Sequence, residues 1–187
     1  MSLPKYNSNE DKDIKSNRKP SFKIENAFLE ELSKEAEQKM EDVNTLVNQI
    51  LKSHIRWHNL AKKSRLAYIS KDLMTKTIDH LSDEQVIQMT HEFSKHRLAD
   101  IMIMLRDGNN FQCYLDALCL WLDESGFNYR IESNNDANIY KIHFDMGRKW
   151  SLYFKTQMEL VFEHFKIKHS EVKMTDNTVI LKINKEY

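Results

Sequence analysis

Three Gly and two Pro are all that this 187-residue chain contains. A turn-rich all-β fold needs many residues free to take positive φ or preset for tight turns, and phosphate-cradling loops need clustered Gly. Both are disfavoured, and a mainly helical α+β chain is expected. Hydrophobic residues make up 41% of the sequence, enough for real cores, while 30% are charged. The mean hydropathy is −0.65. No run approaches the roughly 18 consecutive apolar residues of a membrane span, so no membrane partner is expected. No apolar leader follows the opening "MSLP", so a cytoplasmic location is expected. Cys113 and Cys119 sit in an apolar helical pattern and are expected to be buried, reduced thiols.

Residues 1–18 are polar, with little to bury, and are expected to form a disordered arm. From Pro20 the text changes. In "PSFKIE", Phe22 and Ile24 alternate with Ser21 and Lys23, the period-two pattern of a short half-buried strand. "NAFLEELSKEAEQKM" follows with Asn26 as expected N-cap and with Phe28, Leu29, Leu32, Ala36 and Met40 on one helical face. Asp42 is the expected cap of "VNTLVNQILKSHI", whose stripe of Val43, Leu46, Val47, Ile50 and Leu51 is too wide for a solvated surface helix. Residues 59–69 read as a helical connector.

Residues 70–187 are expected to be an α+β domain. Ser70 caps "KDLMTKTIDHL", Ser82 and Gln85 form a capping box, and Asn109 or Asn110 starts a helix that Gly126 closes. The apolar stretch Leu98–Arg106 is expected to be a core helix. "FNYRIES" and "NIYKIHF" pair around "NNDA", "GRKWSLYFKTQMELVFEHF" is a helix, and "HSEVKM" pairs with "TVILKIN". The order helix, β-hairpin, helix, β-hairpin implies helices on one face of an antiparallel sheet.

A lone strand cannot satisfy its own backbone groups, and the first 70 residues offer no second one. The economical partner is the same strand in a second copy, pairing about a two-fold axis. A homodimer would also give the wide apolar stripes a surface to interlock with.

Strand, helix and helix in "SFKIENAFLEELSKEAEQKMEDVNTLVNQIL", above all "VNTLVNQIL", resemble the ribbon-helix-helix family of DNA-binding proteins, the Arc/MetJ type. The likeness spans residues 20–57, and the corresponding module is residues 19–58. It implies a ribbon in the major groove of double-stranded DNA, with Lys19, Ser21 and Lys23 towards the bases. It also implies a phosphate held at the start of the second helix by Asp42, Val43, Asn44 and Thr45. Phe22, Ile24, Leu29, Leu32, Leu46, Val47 and Ile50 would form the dimer core. The implied function is a sequence-specific transcription regulator, with the C-terminal domain sensing a small ligand or joining dimers into tetramers.

Where the family has Gly between its helices and Ser or Thr at the cap, this chain has Met40-Glu41-Asp42, two carboxylates where a phosphate should approach. A dimeric or tetrameric scaffold without DNA binding is therefore one alternative. A metal or small-ligand sensor is another, with His143, His164 or Cys113 as candidate ligands. No compact Cys/His set appears, and neither a metal nor a cofactor is expected. His91 and His96 lie five apart and do not share a helical face. Residues 1–69 carry 13 Lys+Arg against 10 Asp+Glu, and residues 70–187 carry 15 against 18, a mild asymmetry. In "HFDMGRKWSLYF", Gly147 with Arg148 and Lys149 could receive an anion, although Trp150, Tyr153 and Phe154 read as plain core. No Ser/His/Asp arrangement is identifiable, and Asp116, Asp123 and Glu124 read as a solvated helix face, so no enzyme is expected.

Overall fold

The computed structural model describes residues 23–63, 66–94 and 110–185. The chain divides into two compact units, Met1–Gln49 and Ile50–Tyr187.

In the first unit, helix α1 spans Asn26–Lys39. It begins one position earlier than expected: Glu25 holds the cap position, makes no side-chain cap bond, and Asn26 is already helical. α1 closes through two backbone bonds, Met40 N–H to Glu37 O at 3.1 Å and Glu41 N–H to Ala36 O at 2.9 Å. This six-to-one and five-to-two pairing requires a left-handed residue, and Met40 supplies it with φ 55°. Helix α2, Val43–Ser53, starts where expected, with Asp42 as its cap. Ala36 and Leu46 are buried, while Phe28 stays 62% exposed and Leu29 41%. Residues 19–22 and the arm 1–18 lie outside the described residues, and Lys23–Glu25 form no regular element.

In the second unit, the helical path continues from α2 through a π-helical turn, His54–His58, into α3, Asn59–Lys63. Asn59 N–H bonds His54 O across this wider turn. Trp57 and Ala61, four apart, are both buried and belong to the main core. The larger unit thus takes in residues that the sequence places in the N-terminal module and its connector. Residues 66–69 have no regular structure.

α4 spans Lys71–Asp79, with Ser70 Oγ accepting from Leu73 N–H at 3.2 Å. α5 spans Asp83–Phe93, and both bonds of the Ser82–Gln85 capping box are present. Residues 95–109, which include Leu98–Arg106, lie outside the described residues. α6, Phe111–Glu124, is capped by Asn110 Oδ1 on Cys113 N–H at 2.9 Å. It ends at Gly126 with φ 63°, through Gly126 N–H to Asp123 O and Phe127 N–H to Leu122 O.

The sheet follows the expected hairpins. β1, Asn128–Ser133, pairs antiparallel with β2, Ala137–His143. Asn134 Oδ1 bridges the tight turn by accepting from Asp136 and Ala137 N–H. α7, Gly147–His164, precedes β3, Ser170–Met174, and β4, Thr178–Asn184. β2 pairs with β4, so the order is β1-β2-β4-β3.

Alternation assigns the faces. Tyr140 and Ile142 of β2 and Val179, Leu181 and Ile183 of β4 are buried. They join Trp150, Phe154, Met158, Val161 and Phe162 of α7 in one core, each large side chain contributing roughly 1.5–3 kcal/mol. Tyr114, enclosed in this core, donates its hydroxyl to Met158 Sδ at 3.4 Å, and burial holds its pKa well above the usual range. The other face carries ion pairs: Glu132 with Arg130 at 3.2 Å and with Lys141 at 2.8 Å, and Glu171 with Lys173 at 2.9 Å.

Candidate functional site

Two places in the chain concentrate polar chemistry beside a helix terminus or a cavity. The first is the start of α2. Thr45 N–H donates to Asp42 Oδ1 at 3.0 Å, and Thr45 Oγ1 donates to Asp42 Oδ2 at 2.5 Å. These bonds, the hydroxyl's first, hold the Asp42 carboxyl below its ordinary pKa of 3.8. Glu41 Oε2 accepts from Gln49 Nε2 at 2.7 Å. Both donors of Thr45, one of the residues that the resemblance assigns to a DNA phosphate, are thus met by the chain's own carboxylate. Of the other groove and clamp residues, Lys23 and Asn44 are exposed and Val43 is half-buried, whereas Lys19 and Ser21 lie outside the described residues. Of the dimer-core set, Leu46 is buried, Leu32 and Val47 are half-buried, and Ile24, Leu29 and Ile50 are 38%, 41% and 45% exposed. Phe22 is outside the described residues.

The second place is a cavity of about 340 Å³ in the larger unit. It opens where the π-helical turn, the start of α4, the end of α6 and the start of α7 meet. All three tryptophans of the chain, Trp57, Trp121 and Trp150, line it, with Tyr68 and Phe127. Each is placed by a local rule. The wide π turn accompanies Trp57, α6 carries Trp121 and Glu124 three apart on one face, and the Gly126 turn brings Phe127 round. Met146 and Trp150, four apart, come from the first turn of α7. Lys71 of α4 sits with Nζ 4.0 Å from the centre of the Phe127 ring and donates to Gly126 O at 3.2 Å.

Glu124 is the acid of this cavity, and it departs from the expected solvated face. Its side chain is only 18% exposed. Oε1 accepts from Ser53 Oγ at 2.7 Å, and Oε2 lies 3.7 Å from His58 Nε2. His58 Nδ1 in turn meets the Tyr68 hydroxyl. The order Ser53, Glu124, His58, Tyr68 is not that of an acyl-transfer triad, because the serine hydroxyl bonds to the carboxylate rather than to the imidazole. Trp150 is 8% exposed, and its Nε1–H is buried with no hydrogen-bond partner among the described residues. A buried donor left unmet costs about 1–3 kcal/mol.

The Gly147 junction is filled from within. Arg148 Nη1 lies 2.8 Å from Asp83 Oδ2, and Lys149 Nζ lies 2.8 Å from Asp83 Oδ1 while donating to Leu81 O at 2.7 Å. Lys149 first, then Arg148, holds the Asp83 carboxyl below its ordinary 3.8. Gly147 N–H donates to Asn177 Oδ1 at 2.8 Å. A Cβ at Gly147 would meet nothing within 4 Å, so the glycine answers its φ of 77° rather than crowding. Trp150 and Phe154 are buried and Tyr153 half-buried, in keeping with the core role.

Cys113 and Cys119 are free and half-buried rather than fully enclosed. Burial pushes the Cys119 thiol up to about 11. His143 Nδ1 lies 3.1 Å from Thr178 Oγ1, and His164 packs edge-on against Phe165. Among the described residues, no three His, Cys, Asp or Glu side chains gather to hold a metal ion, and no helix is long and apolar enough to cross a membrane. Comparison with protein-family models, with curated proteins and with solved structures finds no match to this chain.

Proposed function

We propose that the chain is a homodimeric, sequence-specific DNA-binding regulator of transcription, with residues 19–58 as a ribbon-helix-helix module. Two copies of the segment around Ser21–Ile24 pair as the ribbon, which enters the major groove of double-stranded DNA with Lys19, Ser21 and Lys23 towards the bases. The observation that carries this reading is the apolar side chains left open on each of these two helices: Phe28 and Leu29 on α1, and Ile50 and Leu51 on α2, are 41% to 62% exposed. Side chains of that size on successive short helices need a second copy to cover them. The α+β unit acts as the sensing or assembly part.

A titration of the full chain against random duplex DNA tests this. Affinity should fall steeply with salt as phosphate contacts release counterions, and Lys19→Ala with Lys23→Ala should flatten the slope. A well-folded dimer that ignores duplex DNA at low salt would refute DNA binding. One observation favours a second reading, a dimeric scaffold: the Asp42 carboxylate already engages both donors of Thr45. Dimerisation without DNA affinity is the outcome that selects it.

A further inference from the structure

We propose that the three-tryptophan cavity binds a flat, apolar organic acid, with the ring system between the indoles and the carboxylate on Lys71. The proposal stands on the larger unit alone and does not need the chain to bind DNA.

Size and lining give the body of the ligand. About 340 Å³ lies at the lower end of small-molecule sites, which run from about 300 to 1,000 Å³. Trp57, Trp121, Trp150 and Phe127 present rings that favour offset or edge-on contact with another flat ring.

Charge gives the head group. Two polar groups of opposite sign line the cavity, and they differ in what they already hold. Glu124 is answered on one oxygen by Ser53 and faces His58 on the other. Lys71 has no ion pair among the described residues; its ammonium holds only the Gly126 carbonyl and the Phe127 ring. What the site lacks is therefore an anion, which the Lys71 ammonium can meet. A cationic ligand would instead meet the Lys71 ammonium already resting on the aromatic face.

The probe is 2-naphthoate, titrated calorimetrically into the full chain, with 2-naphthylmethylammonium as the cationic counterpart. We expect 2-naphthoate to bind one per chain and the ammonium not to bind. Lys71→Met, at an exposed position where folding is not at stake, should weaken 2-naphthoate about tenfold, the scale of one lost hydrogen bond to a charged group. A thermal melt of the variant reports whether the fold is kept. If 2-naphthoate gives neither heat nor tryptophan shifts at millimolar concentration, the proposal is overturned. Preference for the ammonium, or undiminished affinity in a folded Lys71→Met, overturns it equally.

Discussion

Thr45 gives both of its donors to Asp42, the backbone N–H to one carboxylate oxygen and the hydroxyl to the other. The carboxylate completes the helix and at the same time places a negative charge where an anion would dock. If this terminus approaches DNA, Asp42→Ser should keep the cap and remove the repulsion. Affinity for random duplex DNA at low salt should then rise several-fold. Unchanged affinity in a fluorescence-anisotropy titration would mean that the start of α2 stays away from phosphate.

Met40 holds φ 55° at 94% exposure, so it bears left-handed strain with almost no packing in return. Met40→Gly should raise unfolding stability by about 1 kcal/mol, because Gly enters this region without steric cost. Denaturant melts monitored by circular dichroism measure it, and a loss of stability would contradict the strain account.

Asp83 ties α5 to the first turn of α7 through Lys149 and Arg148. Its folded pKa lies below the ordinary 3.8, so its stabilisation is fully present above that value and is lost as pH falls through the folded pKa. Asp83→Asn should lower Tm at neutral pH, and the gap to the parent chain should be smaller in acid, below pH 3.8, as the carboxylate is protonated. A gap of the same size at both pH values would assign the effect to packing rather than charge.

Phe28 is the most exposed of the large apolar residues on α1. In sedimentation, the parent chain should run as a dimer, and Phe28→Glu should shift it towards monomer without loss of helical signal. A dimer that persists undiminished would place the contact elsewhere.

Local rules were readable wherever their causes are local. The Ser82–Gln85 box, the Asn110 cap, the Gly126 ending and both hairpins each need only residues within a few positions, and each stands in the structure. Helix endings that lack Gly were harder. α7 closes at Lys166, φ 55°, with the same backbone bonding as at Gly126, and nothing in a lysine announces it. The π-helical turn at His54–His58 likewise has no sequence signature among these residues.

The cavity was not legible, because its parts are brought together only by the tertiary fold. Trp57, Trp121 and Trp150 are scattered along the sequence, and each alone is ordinary core. Glu124 looks solvated on a helical wheel; its partners Ser53 and His58 come from a distant helix. Asp83 with Arg148 and Lys149 is the same case, a contact 65 residues long that removes a candidate anion site. A search for tryptophans that share no local helical face could have suggested a common wall.

The strand order leaves β1 and β3 as the two borders of the sheet, and each border carries a lysine or arginine beside a glutamate: Arg130 with Glu132, and Lys173 with Glu171. A foreign strand pairing along either border would have to bring its own backbone past hydrated charges. The sheet is thereby shielded from runaway strand addition, and assembly at high concentration should be governed by helical surfaces rather than by fibre growth.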